Sequence, residues 1–208
     1  MSHTLGLRQA QKQKTRQALL DAALGLLEEQ SLSSLGLREV TREVGVAPTA
    51  FYRHFRSTAD LGVALVEEAL GSLHEMIRLV VSATNDPDER IARAIKLIDG
   101  HVEAHPAHIR FIARERSGGV RTVREAIRDQ LARFAEEVKA ELVKDPQAKG
   151  WTDDDLSMLA SLYVDQMLFT ASLFLEALDA PQEERERVAH VAARQLRLIS
   201  IGRQHWLD

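Results

Sequence analysis

Leu37-Arg-Glu-Val-Thr-Arg-Glu-Val-Gly-Val-Ala-Pro-Thr-Ala-Phe-Tyr-Arg-His-Phe55 is the stretch whose reading decides the fold. It contains two short helical segments separated by Gly45, a residue that readily takes the left-handed conformation ending a helix. Pro48 suits the first turn of the second segment, where its missing N–H has no helical partner to lose. Val40, Val44, Val46, Phe51 and Phe55 supply apolar packing across the turn. A helix-turn-helix of this kind braces one short helix so that it can enter the major groove of DNA.

The groove-facing positions are Pro48, Thr49 and Ala50. Thr49 offers a hydroxyl to a base or phosphate, and Ala50 offers a methyl to a thymine methyl. Tyr52, Arg53, His54 and Arg56 carry donors suited to phosphate oxygens. Lys14 and Arg38 extend this set of candidate DNA contacts, whereas Phe51 and Phe55 are read as core.

Charge supports the assignment once the chain is divided. The net charge of the 208 residues is -4, yet Arg8, Lys12, Lys14 and Arg16 precede every acidic residue. A basic head on an acidic body meets the need for local phosphate neutralisation. Cysteine is absent, which excludes disulfides and thiolate metal sites and is compatible with a reducing cytoplasm. The first residues lack an apolar stretch with a cleavage site, so a cytoplasmic location is expected. Leu156–Leu178 is the most apolar segment, but Asp165, Gln166 and Glu176 within it point to a buried helix rather than a membrane span.

Periodicity predicts an all-α chain of about nine helices, with a head over residues 1–57 and a larger body over 58–208. An arm over 1–10 precedes a first helix over 11–30, whose stripe is Ala18, Leu19, Ala22, Ala23, Leu26 and Leu27. Ser57 caps a helix reaching about Ala83, and Asn85-Asp86-Pro87 closes it. Further helices are expected over 88–104, from Pro106, over 120–143, over 152–178 and over 181–205. Lys144–Gly150 is a polar loop.

A basic first helix, the quoted motif and a following long helix together resemble the TetR family of transcriptional repressors across residues 12–62. Ala47-Pro-Thr-Ala-Phe-Tyr-Arg-His-Phe-Arg56 is similar to the FabR/DesT branch, which represses unsaturated fatty acid synthesis. Arg114-Glu-Arg-Ser-Gly118 and Leu196-Arg-Leu-Ile-Ser-Ile-Gly202 share that likeness. Three positions depart from the family pattern. Gly36 stands where Ser or Thr usually opens the first helix of the motif, a change costing a few tenths of a kcal/mol. Thr41 replaces a common Ala. Thr58 replaces a phosphate-gripping Lys and leaves only a hydroxyl for that contact.

The resemblance implies a double-stranded, palindromic operator, and such an operator requires a two-fold protein. The last two helices suit pairing. Val188, Val191, Ala192, Gln195, Leu198, Ile199 and Gly202 recur at helical spacing, while the preceding helix is apolar on several faces. For the FabR/DesT branch the resemblance implies a long-chain acyl-CoA effector and no other cofactor. An apolar lining is expected from Ile77, Ile98, Phe111, Phe134, Met167, Leu168 and Phe174, with no obvious buried charge. Arg110, Arg114, Arg116 and Arg121 lie in an arginine-rich stretch with Arg124 and Arg128, and guanidinium forks suit CoA phosphates.

The acyl chain is expected to wedge the body helices and so alter the separation of the two readers. A TetR-type repressor of an efflux or other operon, answering to a different hydrophobic molecule, is the alternative. Carboxylates in the pocket favour cationic drugs, and a basic rim favours CoA. No phosphate loop, H-E-x-x-H or nucleophile elbow is present, so an enzyme is not expected. His101, His105 and His108 are the best metal candidates, but histidines at a helix break read as surface or capping residues, and no metal is expected.

Overall fold

The computed structural model describes residues 2–71 and 86–207, apart from a few side chains. The described residues are helical throughout, without strands: α1 (Ser2–Leu26), α2 (Leu37–Val44), α3 (Pro48–Phe51), α4 (Thr58–Gly71), α5 (Pro87–Ala104), α6 (Pro106–Glu115), α7 (Arg121–Leu142), α8 (Asp153–Glu176) and α9 (Gln182–Gln204). The chain divides into two compact units. One combines Met1–Ala69 with Arg110–Ile127, and the other combines Leu70–Ile109 with Arg128–Asp208. The sequence reading cut the chain between 57 and 58. In the structure most of α4 and the segment 110–127 belong with the head.

The head is built around the quoted motif. Gly45 ends α2 at φ 73°, and its N–H donates to the Arg42 carbonyl. Gly36 opens α2 in extended backbone and has no side chain to cap with. Glu39 compensates, its Oε2 accepting from the Gly36 N–H at 3.3 Å and from Gln30 Nε2 at 3.2 Å. Thr41 is buried, and its hydroxyl donates back to the Leu37 carbonyl at 3.1 Å. Here the extra hydroxyl relative to Ala is satisfied within its own helix.

Two expectations for α1 are corrected. Residues 2–10 are not an arm, because the helix starts at Ser2; the Arg, Gln, Lys and Ala of residues 8–18 are strong helix formers that sustain it. The helix stops at Leu26 rather than near Gln30. Arg114 on α6 explains this early end: Nη1 donates to the carbonyls of Leu27 and Gln30 at 2.7 Å each, and Nη2 to that of Glu28 at 3.1 Å. A guanidinium that collects carbonyls just past a helix end satisfies acceptors the helix leaves open. The buried stripe is Leu19, Leu20, Ala23, Leu24 and Leu27, rotated slightly from the expected one.

Beside Arg114, Glu115 is buried and accepts from the Leu32 N–H at 2.9 Å. Gly118 leaves room for it, since a Cβ there would sit 2.2 Å from Glu115 Oε2. Gly62 on α4 is also a packing glycine: a Cβ would lie 2.4 Å from Leu32 Cδ2 and 2.9 Å from Val123 Cγ2. Gly62→Ala is therefore expected to lower stability by about 1–3 kcal/mol through overpacking. Thermal melts of the purified protein check this, and an unchanged Tm would contradict the close fit.

The second unit packs α5 against α8 and α9, and α8 against α9. Its core includes Ile95, Ile98, Val102, Phe174, Val188, Ala192 and Leu196. Asp86 caps α5 by accepting from the Asp88 N–H at 3.0 Å, with Pro87 in the first turn. Thr152 and Asp155 form a reciprocal capping box at the start of α8. Arg185 on α9 pairs with Asp99 and Glu103 on α5, and Arg197 lies 3.4 Å from Asp88. These pairs match late α5 with early α9 and the reverse, so the two helices run antiparallel. By length and composition α8 resembles a membrane span. Its buried residues from Leu156 to Phe174 and the 2.7 Å bond from Gln166 to Gln195 pack one side of it into the helical core.

Candidate DNA interface and ligand cavity

Phe51 anchors α3. It is buried, edge-on to Tyr52 at 5.9 Å and tilted against Phe55 at 5.5 Å. Backbone N–H groups of His54 and Phe55 return to the Phe51 carbonyl, so the turn after the short helix keeps a helical course. With Phe51 and Phe55 inward, Thr49, Tyr52 and Arg53 are exposed, Tyr52 to 63%. Ala50 and Thr58 are half-buried. Lys14 and Arg38 are exposed on α1 and α2. Arg56 pairs with Asp60 at 2.8 Å, which engages the guanidinium before any phosphate arrives.

The turn gathers more positive charge than the motif itself contains. Arg16 lies over the Phe55 ring, 5.1 Å from its centroid. The pKa of His54 is held below the usual imidazole value by burial and then by the charges of Lys12, Arg16 and Arg53. Lys12 and Arg16 thus join the candidate phosphate-facing group. Only their shared position in the basic first helix hinted at this in the sequence.

In the second unit α5, α7, α8 and α9 line a half-open cavity of about 580 Å³. Its lining mixes Ile91, Ala94, Val138, Leu142, Met167 and Leu196 with Arg90, Glu141, Lys144, Asp145, Tyr163 and Arg203. Burial raises the Tyr163 pKa, against the opposing effect of Arg203 and Arg90. Lys144 pairs with Glu141 at 2.6 Å, and Arg203 Nη2 lies 2.7 Å from Asp145 Oδ2.

Of the expected effector residues, Met167 lines this cavity. Phe111, Phe134 and Phe174 are fully buried core, and Ile98 and Leu168 are also buried. Ile77 lies outside the described residues. Arg110, Arg114, Arg116 and Arg121 are not among the residues that line the cavity. Arg110 pairs with Glu28 at 3.2 Å, Arg114 holds the end of α1, and Arg116 and Arg121 are exposed in the head unit. The polar lining that the cavity does possess comes from residues separated widely in sequence. Spacing along one helix could not reveal it.

His101, His105 and His108 do come together, with ring centroids 4.9 and 5.8 Å apart in succession. Among the described residues, no three His, Asp or Glu side chains are arranged to hold a metal ion. Burial and then the neighbouring His105 and His108 lower the His101 pKa. His54 and His101 therefore both have folded pKa values below the unfolded one, roughly 6.5. As pH falls below that value the unfolded chain takes up protons first, and stability declines until the depressed folded pKa is passed. Tm is thus expected to fall between pH 7.5 and 5.5, and His101→Gln to flatten that fall. An equal slope in the variant would contradict the His101 contribution.

Residues 19–65 match the family model described as bacterial regulatory proteins, tetR family. Over these residues the head is similar to the tetR-family model, which fits its helix-turn-helix. Solved structures extend the likeness in fold to the rest of the chain. The transcriptional regulator FadR from Bacillus subtilis, in complex with stearoyl-CoA, is 14% identical with a TM-score of 0.68, covering 86% of this chain and 96% of that one. The fatty acid degradation regulator FadR from Bacillus halodurans is 15% identical with a TM-score of 0.67, covering 87% and 93%. The SmeT–triclosan complex is 18% identical with a TM-score of 0.65, covering 88% and 90%. The TetR fold therefore accounts for both the head and the helical body.

Proposed function

We propose that this chain is a homodimeric TetR-type transcriptional repressor that binds palindromic operator DNA and answers to a long-chain acyl-CoA. The observation that carries the DNA-binding half is the exposed Thr49, Tyr52 and Arg53 surface braced by buried Phe51 in a TetR-family head. Thr49 and Ala50 read base edges, while Tyr52, Arg53, His54, Thr58, Lys14 and Arg38 serve the phosphates.

Dimerisation is supported by an apolar face without a partner in the single chain. Met158, Leu162 and Phe169 of α8 are exposed, as are Val191, Leu198 and Ile201 of α9. Exposed apolar side chains in this number on adjacent helices mark an interaction surface.

The acyl-CoA reading is supported by a cavity of ligand size with an apolar side and cationic groups, and by the stearoyl-CoA complex of a protein sharing this fold. Occupation of the cavity shifts α7, which lines it from Val138 to Leu142, and α7 continues from Arg128 back into the head unit at Ile127. A saturated and a kinked unsaturated chain fill such a space differently and bias operator affinity differently. Control of unsaturated fatty acid synthesis genes follows the likeness to the FabR/DesT branch.

A second reading is a repressor answering to another hydrophobic molecule, as the SmeT–triclosan complex illustrates. Glu141 and Asp145 in the lining favour it for a cationic ligand. Operator DNA selected from a random library by the purified protein, then titrated with stearoyl-CoA, oleoyl-CoA and triclosan, tests both. One acyl-CoA is expected to change operator affinity at least about tenfold, or roughly 1.4 kcal/mol. No response, or equal responses to both acyl-CoAs, overturns the fatty-acid reading.

A further inference from the structure

We infer that the polar end of the body cavity, at Arg203, Tyr163 and Arg90, is a subsite for the anionic head of an aliphatic ligand whose tail lies toward Met167 and Leu196. This rests on the reading of the chain as a ligand-responsive regulator and identifies the chemistry its cavity accepts.

The cavity has two unlike ends because its helices are antiparallel. Along α9 the lining residues run from Leu196 through Ser200 to Arg203, about 10 Å at the helical rise. On α8 they run oppositely, from Tyr163 to Met167. Gln166 meets Gln195 and Trp206 meets Asp155, which matches the end of α9 with the start of α8. Arg203 and Tyr163 therefore share one end and Leu196 and Met167 the other. The loop residues Lys144 and Asp145 add to the polar end.

Arg203 is the decisive group. Its side chain is only 8% exposed, and Nη2 pairs with Asp145 Oδ2 at 2.7 Å. The ion pair neutralises the charge, while the guanidinium also bonds the Tyr163 hydroxyl. A buried guanidinium is costly unless its N–H fork is satisfied, and planar donors suit a carboxylate or phosphate. The Tyr163 hydroxyl oxygen accepts from Arg203 and keeps its O–H for a ligand, and Arg90 contributes a further positive field at Tyr163. Three cations face two carboxylates across the lining, so one negative charge completes the balance. At about 580 Å³ the cavity accommodates an aliphatic chain beyond that head.

The head chemistry has two sources, a free fatty carboxylate and the phosphates of a CoA ester. Isothermal titration of the purified full chain with dodecanoate, lauroyl-CoA and dodecanol separates them, without DNA present. At least one anion is expected to bind about tenfold or more tightly than the alcohol. Arg203→Met should lower the affinity for that anion by a similar factor while leaving dodecanol unchanged. Selective loss for dodecanoate assigns the subsite to a carboxylate, and selective loss for lauroyl-CoA assigns it to the ester's phosphates.

Arg90→Met and Asp145→Asn keep the test open if the buried Arg203 variant fails to fold. The first should weaken anion binding and the second should strengthen it by releasing Arg203. Dodecanol binding as tightly as both anions, or anion affinities indifferent to the folded variants, overturns the inference. Anion binding that depends on Arg203 but leaves operator affinity unmoved would instead reject the acyl-responsive reading alone.

Discussion

Phe51→Ala is expected to destabilise the head by about 3–5 kcal/mol and to abolish operator binding. The side chain is fully buried and touches both Tyr52 and Phe55. α3 spans only Pro48–Phe51. A helix of a single turn cannot hold itself together, because nucleation is unfavourable and tertiary packing must supply the stability. Removing the ring leaves a cavity beneath the segment that carries Thr49, Tyr52 and Arg53. Thermal or denaturant unfolding measures the first effect, and titration of selected operator DNA measures the second. Tyr52→Ala is the useful contrast. That side chain is mostly exposed, so its loss should weaken DNA binding with little change in Tm. If Phe51→Ala kept both stability and operator affinity, the bracing role assigned to Phe51 would be wrong.

Leu198→Glu is expected to convert a dimer into monomers and to reduce operator affinity by more than about hundredfold. Leu198 is 70% exposed, on the face of α9 that also carries Val191 and Ile201. A carboxylate placed there does not disturb the intrachain core, which uses Val188, Ala192 and Leu196 on the opposite side of the helix. In a two-fold interface the substitution enters twice and is desolvated twice, at several kcal/mol. Two readers on one palindrome gain from each other through effective concentration, and separate monomers lose that gain. Sedimentation velocity reads the oligomeric state directly. A wild-type chain that is already monomeric, or a variant that remains dimeric, places the interface elsewhere.

Several features were legible in the sequence because local chemistry dictates them. Gly45 at positive φ, Pro48 in a first turn, and inward Phe51 and Phe55 each depend on residues a few positions apart. The start of α1 differs from the expected arm over 1–10, because helix-forming residues further along carry the helix back to Ser2.

The candidate ligand site was far less legible. Phe111, Phe134 and Phe174 have the spacing and size of pocket residues, but the same properties suit core, and core is where they lie. The clustered arginines looked like a phosphate-binding group because they are close in sequence. Arg114 instead reaches carbonyls more than eighty positions away, and Arg110 reaches Glu28. Meanwhile Arg90, Tyr163 and Arg203 carry no common motif, yet they meet at one cavity.

The sequence by itself determined the all-helical class and the helix-turn-helix with its inward Phe51 and Phe55, since these follow from periodicity and turn residues acting over a few positions. Tertiary structure alone decided where α1 ends, which glycines are packed tight and which charged groups line the cavity. Those outcomes depend on helices distant in the chain, whose packing sets which arginine finds a carbonyl and which finds a carboxylate.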